Sequence, residues 1–119
     1  MKVVTINQIE KEPFTLPLFT SPDVTRQVLL PESKEYEVNM VNFGKGVRNK
    51  FHSHDYEQVL IVTAGKGIIA TKEEEKVISA GDVVFIPANE VHWHGAAADF
   101  EFSHIYMNSS QTRLTQHED

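Results

Sequence analysis

Apolar and polar positions along this chain fall into short runs with a period of two, and no stretch carries the three-to-four residue spacing of an amphipathic helix. YEVNMVNF, from Tyr36 to Phe43, predicts a strand. So do the apolar run Val59, Leu60, Ile61, Val62 and Thr63, and the run Val83, Val84, Phe85 and Ile86. FEFSHIYM alternates, with Phe100, Phe102, His104 and Tyr106 on one face and Glu101, Ser103, Ile105 and Met107 on the other. Burying Glu101 would strand a charge, so the face with Phe102 and His104 should point inward. VTRQVLL, from Val24 to Leu30, predicts a further strand, and Val3, Val4 and Ile6 a short one at an edge. Phe14, Leu16, Leu18 and Phe19 surround Pro17, which suits an edge or an irregular segment.

Punctuation between the runs is dense. Ser21 to Asp23, Pro31 to Lys34, Gly44 to Gly46, Gly65 to Gly67 and Gly81 with Asp82 all read as turns, and KEEEK from Lys72 to Lys76 as a solvated hairpin tip. Pro87 lacks a ladder donor and should end its strand, with a turn through Ala88, Asn89 and Glu90. From Asn108 the chain turns polar, and SSQTRLTQHED is expected to fray, leaving His117 without a role. Short strands with Gly and Pro turns predict an all-β sandwich or barrel.

The chain of 119 residues is the size of one domain, and 40% hydrophobic with 24% charged residues is ordinary globular composition. A net charge of −6 argues against a nucleic-acid partner, which needs a basic surface. The absence of cysteine excludes disulfides and thiolate metal ligands. MKVVTINQIEKEPF lacks the apolar run of a signal peptide and no stretch would span a membrane, so the expected location is the cytoplasm.

The chemistry is concentrated in GVRNKFHSHDYEQVLIVTAG, from Gly46 to Gly65, and GDVVFIPANEVHWHGA, from Gly81 to Ala96. His52, His54 and Gln58 share parity and face the same way if the backbone stays extended or turns back evenly, which leaves Glu57 outside. A bulge between Asp55 and Glu57 would reverse that. Two imidazoles and an amide oxygen suit a first-row transition metal, and one imidazole from the pair His92 and His94 would complete the set. Gln58 could instead orient a ligand histidine by a hydrogen bond. Trp93, of opposite parity, should lie outside the pocket.

Gly46, His52, His54 and Gly65 stand at the spacing of the first cupin motif, and Gly81, Pro87 and His92 at that of the second. The chain departs from the common pattern at Gln58, where most cupins have glutamate, at Asn89 and at Ala96. LIVTAGKG, GDVVFIP, HWHGA and SHIY resemble the small manganese-dependent bacterial cupins that include hydroxynitrile lyases, over roughly Val38 to Asn108. The resemblance implies a double-stranded β-helix (jelly-roll) barrel over residues 36–108. Residues 1–35 would be strands packed on the barrel or swapped across a homodimer, and 109–119 a polar tail. It further implies one divalent metal per chain on His52, His54, Gln58 and His92, with manganese first, then iron, then zinc or nickel.

His94 and His104 would then be either acid and base groups beside a bound small molecule or packing residues next to Trp93, Phe102 and Tyr106. A neutral glutamine ligand leaves the metal its full charge, which favours a lyase using a Lewis acid and a base, His94 assisted by His104. The alternatives are a metal-dependent dioxygenase, a non-catalytic small-molecule or metal-binding protein, and a sugar-uronate-converting cupin.

Overall fold

The computed structural model describes residues 1–119 and is all-β, a curled antiparallel sheet closed into a jelly-roll barrel. Its strands are β1 (Glu12–Pro13), β2 (Val24–Val28), β3 (Tyr36–Phe43), β4 (His52–His54), β5 (Gln58–Ala70), β6 (Glu75–Ser79), β7 (Val83–Ile86), β8 (Trp93–Ala96), β9 (Phe102–Ser109) and β10 (Leu114–Gln116). No helix is long and apolar enough to cross a membrane.

One wall of the barrel runs β1, β2, β3, β9 and the first half of β5, with β7 on the other side of β5. The second half of β5 turns into the opposite wall, where it pairs with β6 and β8. The sequence suggested a turn at Gly65 to Gly67. Instead, β5 continues through this point as one bent strand of 13 residues. The register slips between Val62 and Ala64, and Gly65 takes φ +75° where it crosses Phe102 of β9. A β-carbon there would lie 1.9 Å from the carbonyl oxygen of Glu101, so the strand can bend at this point only with glycine.

Burial alternates only in part, since Asn39, Met40 and Val41 of β3 are buried in succession. Phe19, Val24, Val41, Phe43, Val47, Val62, Ile78, Ala96 and Phe102 are buried together. Full burial of a Phe or Val stabilises by about 1.5–3 kcal/mol per side chain. The inward face of β9 carries Phe102, His104 and Tyr106 as expected and Asn108 beyond them, while Phe100, expected on the same face, lies before the strand and is exposed.

Both ends of the chain differ from their sequence reading. Ile6–Gln8 forms a single 3-10 turn and not an edge strand, because the side-chain amide of Gln27 captures the carbonyls of Ile6 and Ile9 at 2.9 and 3.0 Å. The polar carboxy-terminal segment is not frayed. Leu114–Gln116 pairs antiparallel with His52–His54. Glu118 closes the end by accepting from the Arg48 guanidinium at 2.8 Å and from the Phe51 amide at 2.9 Å. His117 meets Ser53 Oγ through Nε2 at 2.8 Å. Backbone pairing, which is indifferent to side-chain polarity, orders this segment.

Candidate metal centre

His52 and His54 occupy alternate positions of β4 and point into the barrel, and His92 stands just before β8. His52 and His92 form a reciprocal backbone bridge, each amide donating to the other's carbonyl at 2.9 Å. That bridge brings their rings to 4.3 Å between centroids, with His54 5.0 and 5.4 Å from the two. One nitrogen from each of the three lies within 4.8 Å of the others, a group that could hold a metal ion.

The hydrogen bonds around the triad leave lone pairs for such an ion. His52 Nδ1 contacts the Lys50 carbonyl at 2.6 Å and His92 Nδ1 the Glu90 carbonyl at 2.8 Å. A ring nitrogen facing a carbonyl must carry the proton, so Nε2 of each ring is the free acceptor. His92 Nε2, His54 Nδ1 and Gln58 Oε1 are buried with no partner. Between His54 and Gln58 the chain bends at Asp55 and Tyr56, yet Gln58 faces inward and Glu57 is exposed. Gln58 Nε2 donates to Asn108 Oδ1 at 3.0 Å, which turns its oxygen away from that contact. Orphaned acceptors from neutral imidazoles and an amide fit a divalent first-row metal.

A cavity of about 250 Å³ opens beside the triad. His52, His54, Gln58, His94, His104 and Asn108 line its polar side, and Phe14, Leu16, Leu18, Phe19, Phe43 and Leu114 much of its apolar side. Residues before β2 and after β9 thus help to enclose it, although they lie outside both motifs. Trp93 lies outside, with the Arg48 guanidinium 4.6 Å over its ring.

His94 and His104 meet edge to face at 4.9 Å. Asn49 holds His94 in place by accepting from its backbone amide at 2.8 Å. Neither nitrogen of His104 makes a well-formed hydrogen bond, the ring having only a weak contact with the Ile105 backbone, which argues against simple packing with a fully satisfied imidazole. Burial is the largest cause pushing all five imidazoles below their ordinary range, with neighbouring imidazoles adding to it for His52, His54 and His94. His52 falls to about 3, and His54 and His104 to about 4. The rings are therefore neutral acceptors at neutral pH.

The sequence reading missed Glu37 as a lining residue. It shares the parity of Val41 and Phe43 on β3, which was the available signal. Its carboxylate accepts from the Tyr106 hydroxyl, and Asn39 Nδ2 donates to the same hydroxyl at 2.7 Å.

Comparison with known proteins places this architecture. Over 67 residues the chain is 45% identical to the (R)-mandelonitrile lyase of Granulicella tundricola, covering 55% of this chain and 50% of that protein. Over 89 residues it is 33% identical to mannose-6-phosphate isomerase 1 of Arabidopsis thaliana, covering 74% of this chain and 20% of that enzyme. The chain thus spans half or less of the length of these curated relatives. A solved cupin-like protein from Thermotoga maritima superposes with a TM-score of 0.85 at 33% identity, covering 94% of this chain and 89% of the other. The Cupin domain family matches residues 39–106, the stretch that carries every one of the inward-facing imidazoles described above, and this chain belongs to that family.

Proposed function

We propose that this cupin is a metal-dependent lyase that cleaves a carbon–carbon bond next to a hydroxyl group in a small, largely apolar molecule. Its metal would sit on His52, His54, His92 and Gln58, manganese before iron. The observation that carries the reading is His104, a neutral, buried imidazole without a well-formed hydrogen bond, lining the same cavity as the triad. When bound, a divalent metal would supply Lewis acidity to a substrate hydroxyl or carbonyl oxygen.

The chain's own groups do the rest. The apolar wall excludes water and holds the substrate body, and Asn49 fixes His94 against His104. For a cyanohydrin, His104 accepts the hydroxyl proton as the carbonyl forms, and the pair from the breaking carbon–carbon bond leaves with cyanide. This is the reverse of the order expected from sequence, because Asn49 lies against the His94 ring. The proton then passes to cyanide, directly or by way of His94, and the imidazoles return to neutral. Similarity to a mandelonitrile lyase supports this class. Similarity to a sugar-phosphate isomerase gives it less support, because no lysine or arginine lines the cavity to receive a phosphate.

Metal analysis of protein purified without chelator, combined with assay of mandelonitrile cleavage, tests the reading. About one manganese or iron per chain is expected, lost in His52→Ala, with metal-dependent release of benzaldehyde and cyanide. His104→Ala should keep its metal and lose about 10²-fold or more in kcat. Zinc only, or no turnover of any hydroxynitrile, would replace the lyase with a binding protein.

We further propose a homodimer. The outward positions of β5, β7 and β9 place Val59 opposite Phe85 and Met107, and Ile61 opposite Val83 and Ile105. Ile61, Val83, Phe85 and Met107 are exposed, so these residues form one contiguous apolar stripe on the outside of the barrel.

A further inference from the structure

Three hydrogen-bonded strands, β5, β9 and β3, present a grid of inward side chains. Gln58, Asn108 and Glu37 form one row, Leu60, Tyr106 and Asn39 the next, and Val62, His104 and Val41 a third. Neighbouring strands are about 4.8 Å apart, so the backbone at Glu37 stands about 10 Å from that at Gln58, with Asn108 between. That span suits a molecule with one six-membered ring, bound by an oxygen at the triad and reaching across the row with its other end.

Glu37 is the one carboxylate in the cavity lining, which has no lysine or arginine. Tyr106 and Asn39 restrain its Oε1, while Oε2 has no hydrogen-bond partner. A carboxylate oxygen left free at the cavity edge favours a donor, by a charge-assisted hydrogen bond, and disfavours an anion, because the nearby cation, Arg26, stacks on Phe14 outside the lining and is already paired with Glu12.

We propose that Glu37 determines substrate specificity by reading the end of the substrate remote from the metal: it selects neutral one-ring hydroxy or carbonyl compounds that carry a hydrogen-bond donor there, and rejects those carrying a carboxylate or phosphate. The proposal rests on the lyase reading only in placing the substrate's reacting oxygen beside the triad. Glu37 touches the substrate without taking part in the proton transfer.

The test is binding, followed by NMR titration of the zinc-loaded protein with benzyl alcohol, 4-hydroxybenzyl alcohol and 4-(hydroxymethyl)benzoate. The wild type should bind the 4-hydroxy compound about tenfold more tightly than benzyl alcohol and the benzoate about tenfold more weakly. In Glu37→Gln both differences should shrink to about twofold or less. Tyr106→Phe, which releases Glu37 from its restraint and leaves the carboxylate in place, should preserve the ranking. The wild-type ranking alone decides the matter should Glu37→Gln fail to fold. Equal binding of all three compounds would overturn the role of Glu37 and leave the lyase standing. Failure of all three to bind would overturn both. The predicted ranking without any cleavage of mandelonitrile would remove the lyase and retain the selectivity of Glu37.

Discussion

His52 and His92 are held by backbone carbonyls on one ring nitrogen and left free on the other, so the protein sets their tautomers before any ligand arrives. The same burial that keeps these rings neutral makes stability depend on pH. His52 lies at about 3, and His54 and His104 at about 4, against an ordinary value of 6.5, with His92 and His94 lowered as well. Below about pH 6.5 the unfolded chain binds protons that the folded chain refuses. The contribution of these groups is therefore complete above about pH 6.5 and is lost progressively as pH falls through about 4 and then 3. Thermal unfolding of the metal-free protein should show Tm falling steadily between about pH 6.5 and pH 4. A Tm unchanged over that range would mean that the imidazoles are solvated. Gln58 offers a second residue-level test. Gln58→Ala should weaken metal binding by about tenfold or more in a chelator competition, and an unchanged affinity would return Gln58 to a hydrogen-bonding role. The shared facing of His52 and His54 was legible in the sequence from parity, whereas that of Gln58 held only on the condition that the bend at Asp55 and Tyr56 turns back evenly, which the structure shows. Glu37 shared the parity of its strand neighbours but had no motif, and only the closed barrel gave it a cavity to face.

At the scale of single elements, β5 and β10 separate what local sequence encodes from what pairing imposes. The apolar run after Gln58 predicted the first half of β5, whereas its continuation through Gly65 depended on a close crossing over β9 that no local pattern reports. Gly65→Ala should cost about 2 kcal/mol or more, from both the left-handed backbone and the contact with Glu101. Gly46→Ala has the same sign of φ but open space around it, and should cost only about 1 kcal/mol. Urea unfolding of the two variants measures the difference, and equal losses would mean that the crossing relaxes freely. β10 was read as tail because its composition is polar, yet it pairs Leu114 with His54 and Gln116 with His52. Deleting residues 111–119 should lower Tm and weaken zinc binding by roughly tenfold, since β4 would lose its partner strand. Retention of full affinity would show that the bridge to His92 holds β4 unaided.

The whole molecule exposes a cost that its parts do not. Ile61, Val83, Phe85 and Met107 lie outward on a curved sheet whose other face is already filled, so they cannot be buried within one chain. Light scattering at micromolar concentration should report a dimer, and Phe85→Lys should shift it to monomer by placing a charge in the centre of the stripe. A monomeric wild type would leave the stripe without a partner in its own kind. By itself, the sequence determined the all-β class, the strands from Tyr36 to Phe43 and Val83 to Ile86, and the shared facing of the motif histidines, because strand periodicity and turn residues act over a few positions. The tertiary structure decided which segments enclose the cavity, that a polar tail becomes the partner of the strand carrying His52 and His54, and that Asn49, Asn108 and Glu37 surround the imidazoles. Those outcomes depend on cross-strand register between residues 45 to 73 positions apart, and register is set by closure of the barrel and not by any one segment.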